Sequence, residues 1–563
     1  MTYDLKPIKA PRVAGRALRM LTPVVEHPPL GSAITAKLLS DVGIKALRKI
    51  EADEAIAVGP AMTVSKSAQP PDDKDSAALA EQVVSTEIEQ AKGFHFCSAT
   101  DYVRAYKDGS TTPEQIAEKV LEWTAQTEKT DPPMRILIAQ SHDDVRVQAK
   151  ASARRYQQGD LRGPLDGVPV VVKDELDQKG YPTTVGTKFL GDVPSSQDAE
   201  VVARLRAAGA ILIGKANMHE IGMGVTGVNP HHGAVRNPYD YSHVTGGSSS
   251  GPAASVAAGF CPIAVGADGG GSIRIPASFC GCVGIKPTFG RMSEHGAAPL
   301  CWSVAHVGPI AATVKDAALA YVLMAGPDEK DRNSLDRPAP HLAGFGDGDL
   351  NGVRLGVFWP WFEDAQPEVV AACKNMLTGL EAAGCQVVEI ELPELSLVRT
   401  VHLVTIVSEM ATAHMHYYKK HRKDYACDTR MNLALARRLK ATDYVHAQRL
   451  RLRIAGHFNQ AYQQVDAIVT PASGCVAPPI ATDSLKSGES NLELTGEIMR
   501  FAQAANLTGL PAISFPAGYT DSGLPIGFQA MGRAFEEHLL FRLAFVAEGL
   551  VAKQQPKVFK SLL

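Results

Sequence analysis

Short apolar runs that never alternate with polar residues recur through this chain, and they set the narrowest limit on its fold. Residues 168–172 read Val-Pro-Val-Val-Val, and 210–213 read Ala-Ile-Leu-Ile. A strand apolar at every position has no side to offer water, so it belongs inside a sheet covered on both faces. Helical patterns fill the intervals at 77–91, 112–124, 143–157, 199–208 and 216–223, and again at 368–383 and 442–464. Further strand patterns lie at 134–139, 353–358 and 385–392. Ser110-Thr111-Thr112-Pro113-Glu114 supplies a hydroxyl cap with proline in the first helical turn. The alternation predicts an α/β fold, a central mixed β-sheet with helices on both faces. No repeat of fixed period stands out, so the reading is one large domain over 77–563 behind an N-terminal arm and linker over 1–76.

Composition permits a large core and narrows the partners. Hydrophobic residues make up 45% of the 563 and charged residues 21%, an ordinary globular balance. A net charge of -3 argues against nucleic acid, whose phosphates need a basic surface. The nine cysteines are scattered, and Cys280 and Cys282 lack a second pair at metal-ligand spacing, so free thiols in a reducing compartment are expected and no metal. Pro7, Pro11, Pro23, Pro28 and Pro29 interrupt the first thirty residues, and no apolar run reaches the ~18 residues of a spanning helix. The expectation is an intracellular protein, cytoplasmic or peripherally membrane-associated. The first fifty residues are lopsided, however. Lys6, Lys9, Arg12, Arg16, Arg19 and further cations face only Asp4, Glu26 and Asp41, with Leu18, Met20, Leu21, Ile34 and Leu38 between them. Such a mixture suits an anionic membrane surface; it equally suits short helices docked on the same chain or on a second copy in a homodimer. Residues 58–76, rich in Pro, Ser, Asp and Lys, read as a linker or wrapped arm.

The chemistry concentrates in 229–291, a Gly/Ser/Pro-saturated stretch punctuated by apolar inserts. A segment of that kind inside a compact domain is functional or disordered, and the inserts favour function. Thr245-Gly246-Gly247-Ser248-Ser249-Ser250-Gly251 gathers hydroxyls before a helix that Pro252 opens, and Asp268-Gly269-Gly270-Gly271-Ser272-Ile273-Arg274 sets three glycines before a serine. Glycine backbone can turn its N–H groups toward one point, and such a nest beside a hydroxyl is what acyl transfer needs. Upstream, Lys173 ends an apolar strand. Alone it reads as a lysine that snorkels or pairs with Asp174 or Glu175; a desolvated lysine beside a nucleophile can also serve as a base. Gly247-Ser248-Ser249-Ser250-Gly251 formally fits G-x-S-x-G with Ser249 as nucleophile, but no apolar strand feeds that turn. Neither glycine run ends in Gly-Lys-Ser/Thr, which excludes a P-loop. His219, His231 and His232 show no ordered spacing and are read as loop or helix-surface residues.

These motifs resemble the amidase signature family. The resemblance rests on Lys173-Asp174, on Gly246 to Gly251, on Gly269 to Pro276, and on Gly281-Cys282-Val283-Gly284-Ile285-Lys286-Pro287-Thr288. It continues through Gly509-Leu510-Pro511 and Gly523-Leu524-Pro525-Ile526-Gly527-Phe528-Gln529. Within the family the chain looks most like the plant-type fatty acid amide hydrolases, through Gly214-Lys215-Ala216-Asn217-Met218-His219-Glu220 and Lys9-Ala10-Pro11 in the arm. The resemblance implies a Ser–Ser–Lys triad: Ser272 as nucleophile, Ser248 as a relay serine on a cis peptide, and Lys173 as the base. It implies an oxyanion hole from the N–H groups of Gly269, Gly270, Gly271 and Ser272, with Ser249 and Arg274 as supports, and no metal or organic cofactor. Pro252 departs from the glycine or small residue usual in the family. Gly222, Met223, Gly224 and Val225 either line an acyl pocket or pack as ordinary helix. The implied reaction is hydrolysis of a lipid amide of the N-acylethanolamine type. A small-amide amidase, the amidase subunit of an amidotransferase, and a catalytically silent lipid-binding scaffold remain the competing readings.

Overall fold

The computed structural model describes residues 3–8, 10–27, 31–71, 74–87 and 92–563. Its centre is an eleven-stranded sheet. Along the chain the strands are β1 (Leu137–Ala139), β2 (Pro169–Lys173), β3 (Ile211–Ala216), β4 (Ile263–Ala267), β5 (Val283–Lys286) and β6 (Val307–Ala311). They continue with β7 (Arg354–Val357), β8 (Gln386–Glu389), β9 (Ala467–Pro471), β10 (Ala512–Tyr519) and β11 (Pro525–Gly532). Their spatial order is β8-β7-β9-β11-β10-β5-β6-β4-β2-β3-β1. The sheet is mixed. β2 runs parallel to both β3 and β4, and β7 runs parallel to β8 and β9, while the strands between these two groups are antiparallel. Every residue of β2, β3, β4, β5, β6, β9 and β11 is buried, so helices cover both faces, as the unbroken apolar runs require.

Most expected elements appear with shifted ends. The helix at 112–124 is Pro113–Thr127, and Thr112 and Gln115 close a capping box over its start. The helix at 77–91 is Ser76–Ser85, capped by Asp75, and 88–91 lie outside the described residues. The helix expected at 216–223 is absent. β3 runs on to Ala216, with Lys215 and Ala216 in register with Val172 and Lys173, and only a single 3-10 turn, Glu220–Gly222, follows. Ile221 and Gly222 there have φ of 45° and 70°, which no helix tolerates.

The N-terminal residues fold back onto the body. Helices Gly15–Glu26, Ser32–Asp41 and Ile44–Leu47 lead into a stretch tied down by Ser67, whose hydroxyl donates to Glu536 at 2.6 Å. Arg48 forks onto Asp443 at 2.8 and 2.7 Å, and Arg12 reaches Glu489 at 2.6 Å. Leu5, Ile44 and Leu47 join one apolar cluster with Val398, Val401, Leu450 and Phe458. Lys9, Pro28, Pro29 and Leu30, part of the arm pattern, lie outside the described residues. No helix among the described residues is long and apolar enough to cross a membrane.

Candidate active site

The parallel neighbours β2 and β4 end side by side, and ligands of open α/β sheets gather at such carboxyl ends. Lys173 is the last residue of β2, and the glycine run begins just past the end of β4 at Ala267. Helix Ser250–Ala257 packs against β4, which brings its leading serines to the same end; its Pro252 stands in the first turn, where a missing N–H costs nothing. Lys173 Nζ and Ser248 Oγ are hydrogen-bonded at 2.9 Å, and Lys173 also donates to Ala267 C=O at 3.2 Å. The Gly247–Ser248 peptide is cis. Ser249 N–H donates to Ser272 C=O at 3.2 Å, clamping the two serine loops together, while Ser249 Oγ donates to Ala267 C=O at 3.2 Å. Ser248, Ser272 and Lys173 line one cavity of about 240 Å³.

The glycine loop is held from behind by a buried ion pair. Asp268 and Arg274 are both fully buried, with Arg274 Nε donating to Asp268 at 3.0 Å. Arg274 also donates to Asn506 Oδ1 at 2.6 Å, Gln529 Oε1 at 2.7 Å and Ala502 C=O at 3.0 Å. Burial works against the charge on Asp268, but the Arg274 guanidinium together with the Asn506 amide and other neighbours outweighs it and holds this carboxyl far below the usual range. Asp268 in turn accepts the N–H of Gly271 at 2.6 Å and of Ile273 at 3.1 Å. Gly271 N–H therefore faces the carboxylate rather than the cavity. The N–H groups of Gly269, Gly270 and Ser272 donate no hydrogen bond within the chain, among the described residues. Gly271 has φ of 114°, so glycine is needed there for the turn.

Three further participants join the site, two of them, His402 and Gln503, with no local sequence signal. His402, on helix Leu395–Ala413, is bonded to Gly269 C=O at 2.8 Å through Nε2, while its Nδ1 faces Gln503 Nε2 at 3.4 Å. A carbonyl only accepts, so Nε2 carries the hydrogen. Burial pushes this imidazole down to about 4, so it is neutral. Because C=O and N–H of one trans peptide point oppositely, anchoring Gly269 C=O on His402 turns Gly270 N–H the other way. Glu175 is the third, its Oε2 2.6 Å from Lys173 Nζ. Lys173 thus meets a neighbouring acid and Ser248 together, whereas Asp174 turns to Lys215 at 3.5 Å and accepts Gly186 N–H at 2.9 Å.

Other sulfur and imidazole groups are poorly placed to compete. Cys301 lines the cavity, but burial first, and then Glu409, Glu294 and Glu175, push its thiol well up, so it stays protonated. His231 pairs with Glu220 at 2.7 Å and His232 with Thr187 C=O at 3.0 Å. His219 lies in the loop after β3, but buried rather than at the surface: it is 6% exposed and lines the cavity. Gly222, Met223, Gly224 and Val225 also line it, on the turn after β3 rather than on a helix. Apolar wall comes from Ile406, Val407, Met410 and Leu435, and the arm adds Leu38, Leu39, Val42 and Ile44.

Residues 118–541 match the family model described as Amidase. The chain belongs to the amidase family. It is an amide hydrolase, and its α/β fold with a mixed central sheet is shared with solved amidases. It is 39% identical to a fatty acid amide hydrolase of Oryza sativa subsp. indica over 100% of this chain and 96% of the relative. It is 35% identical to a glutamyl-tRNA(Gln) amidotransferase subunit from Symbiobacterium thermophilum, over 80% of this chain and 95% of that one. Among solved structures, the peptide amidase of Stenotrophomonas maltophilia superposes with a TM-score of 0.70 at 28% identity, covering 82% of this chain and 98% of that one.

Proposed function

We propose that this amide hydrolase acts on fatty acyl amides of the N-acylethanolamine type, through an acyl-enzyme on Ser272. The observation that carries the chemistry is the 2.9 Å bond between Lys173 and Ser248 in the cavity that Ser272 lines. Ser272 Oγ attacks the amide carbonyl while its proton passes to Ser248 and the Ser248 proton passes to the unprotonated Lys173 nitrogen. Glu175, its carboxylate 2.6 Å from Lys173 Nζ, holds that nitrogen in place beside Ser248. The N–H groups of Gly269, Gly270 and Ser272 stabilise the oxyanion, with Gly271 shaping the turn and Arg274 and Ser249 bracing it. The proton returns along the relay to the leaving nitrogen, the amine departs, and water hydrolyses the ester by the same path in reverse.

The substrate class is supported by the likeness to the rice fatty acid amide hydrolase, which spans the whole chain with its arm, whereas the likeness to the amidotransferase protein covers 80%. The arm's Leu38, Leu39 and Val42 in the cavity wall give that extra length a use in binding a chain of methylenes. On this reading the arm's outer face, where Arg16, Arg19 and the 70%-exposed Met20 are open, meets an anionic membrane. Vesicle flotation with phosphatidylserine tests it, and a concentration-dependent dimer without flotation would give that face to a second copy instead. For the chemistry, Ser272→Ala should abolish turnover and Lys173→Ala should remove most of it. Rates across acyl chain lengths test the substrate: they should rise toward long chains, and a wide preference for short amides would refute the lipid reading.

A further inference from the structure

Two buried polar side chains in the cavity have no part in the relay. His219 is fixed beside it: its backbone N–H donates to Ser248 C=O at 3.2 Å, and its ring lies against Gly224, where a Cβ would come within 2.2 Å. Its Nδ1 is buried without a hydrogen-bond partner among the described residues, and its Nε2 is 3.7 Å from Asp428 Oδ2, beyond hydrogen-bond length. Asp428, 4% exposed, stands in the first turn of helix Cys427–Ala436, and its Oδ1 accepts the N–H of Thr429 at 2.8 Å. The two side chains are thus buried together, with Nε2 and Oδ2 facing each other across a gap too long for a direct hydrogen bond. A hydroxyl oxygen on the cavity side of these two atoms, off the line joining them, can reach both at hydrogen-bond length.

The direction of the cavity says which part of a substrate arrives there. Asp428, Asn432, Leu435 and Ala436 line it from one helix face, so that face passes from a carboxylate to apolar residues. An acyl chain laid along the apolar part, with its carbonyl at Ser272, leaves the His219–Asp428 end beside Ser248 for the amine portion. This inference rests on the reading of the cavity as the amide site. We propose that His219 and Asp428 form a subsite for a hydroxyl on the amine portion of the amide. The hydroxyl donates to Asp428 Oδ2 and accepts from the imidazole N–H, so amides of amino alcohols are preferred over amides of alkylamines.

The test compares N-(2-hydroxyethyl)hexadecanamide with N-propylhexadecanamide, which differ by one hydroxyl at matched size. The intact enzyme should favour the hydroxyethyl amide in kcat/KM by about 100-fold, since the analogue without the hydroxyl leaves the buried polar groups of the site unpaired. Asp428→Leu and His219→Phe should bring that ratio to within about threefold, the ratio being read whatever each variant does to the rate on the propyl amide. A ratio near one in the unaltered enzyme overturns the subsite, whether or not the variants fold; so do variants that slow both amides equally. If neither hexadecanamide is hydrolysed, the lipid reading fails by itself, and the same ratio taken on N-(2-hydroxyethyl)acetamide and N-propylacetamide still decides the subsite.

Discussion

Asp268 sets the shape of the glycine loop, because its carboxylate takes Gly271 and Ile273 N–H while Arg274 neutralises it. Removing one partner of a buried pair leaves the other charge uncompensated. Asp268→Asn should therefore lower stability by about 3–5 kcal/mol in chemical denaturation. His402 acts on the same loop from the opposite side of the chain. His402→Ala should lower kcat by about tenfold to a hundredfold with KM nearly unchanged, and His402→Gln, which keeps an N–H donor, should recover part of it. His402 also carries an acid sensitivity. Its folded value near 4 lies below the ordinary 6.5, so the stability it contributes is full above about pH 6.5 and is lost as pH falls toward 4. His402→Gln should lose up to about 3 kcal/mol less than the parent over that window, read from melts at each pH. Lys173, Ser248 and Ser272 were legible in the sequence because glycine runs and an apolar strand end flank them, and Ser249 and Arg274 came with the family resemblance. Glu175 was legible only as a partner for the lysine and Gln529 only as the end of a family motif, while His402, Gln503 and Asn506 were not legible. These three come from distant helices, and nothing local marks a residue that acts through a carbonyl or a guanidinium.

At the scale of elements, burial alone does not make a strand legible. β2 and β3 announced themselves through unbroken runs of large aliphatic residues, Val170-Val171-Val172 and Ile211-Leu212-Ile213, whereas small, polar or proline residues break up such runs in the equally buried β6, β9 and β11. The false helix at 216–223 arose from residues with good helix propensity. Ladder pairing with β2 and the positive φ of Ile221 and Gly222 override that propensity. Helix Leu395–Ala413 was missed because polar residues are scattered around it and its apolar face is indistinct. Close approach, not sequence pattern, decides the tolerance of helix Ser250–Ala257. A Cβ on Gly251 would lie 2.5 Å from Ile136 C=O and 2.6 Å from the Asn217 backbone. Gly251→Ala should therefore cost at least about 1–3 kcal/mol and loosen the serine loops, whereas Thr112→Ala, which removes only a cap, should cost about 1 kcal/mol and leave the rate alone.

For the whole molecule, the arm is the feature on which composition stayed ambiguous. Its cations and apolar residues fitted a membrane, a partner or the body alike, and only the fold shows Arg48 on Asp443 and Leu39 in the cavity wall. Leu39→Ser should lower kcat/KM for a long-chain amide about tenfold and leave a short-chain amide unchanged, the size expected for losing one buried leucine contact. The central claim is the identity of the attacking atom. Treating the intact protein with a long-chain fluorophosphonate and mapping the adduct by peptide mass spectrometry tests it most directly. The account predicts one phosphonyl group per chain, on Ser272, and none in Ser272→Ala. An adduct on Ser249 or Cys301, or labelling that survives Ser272→Ala, would contradict it.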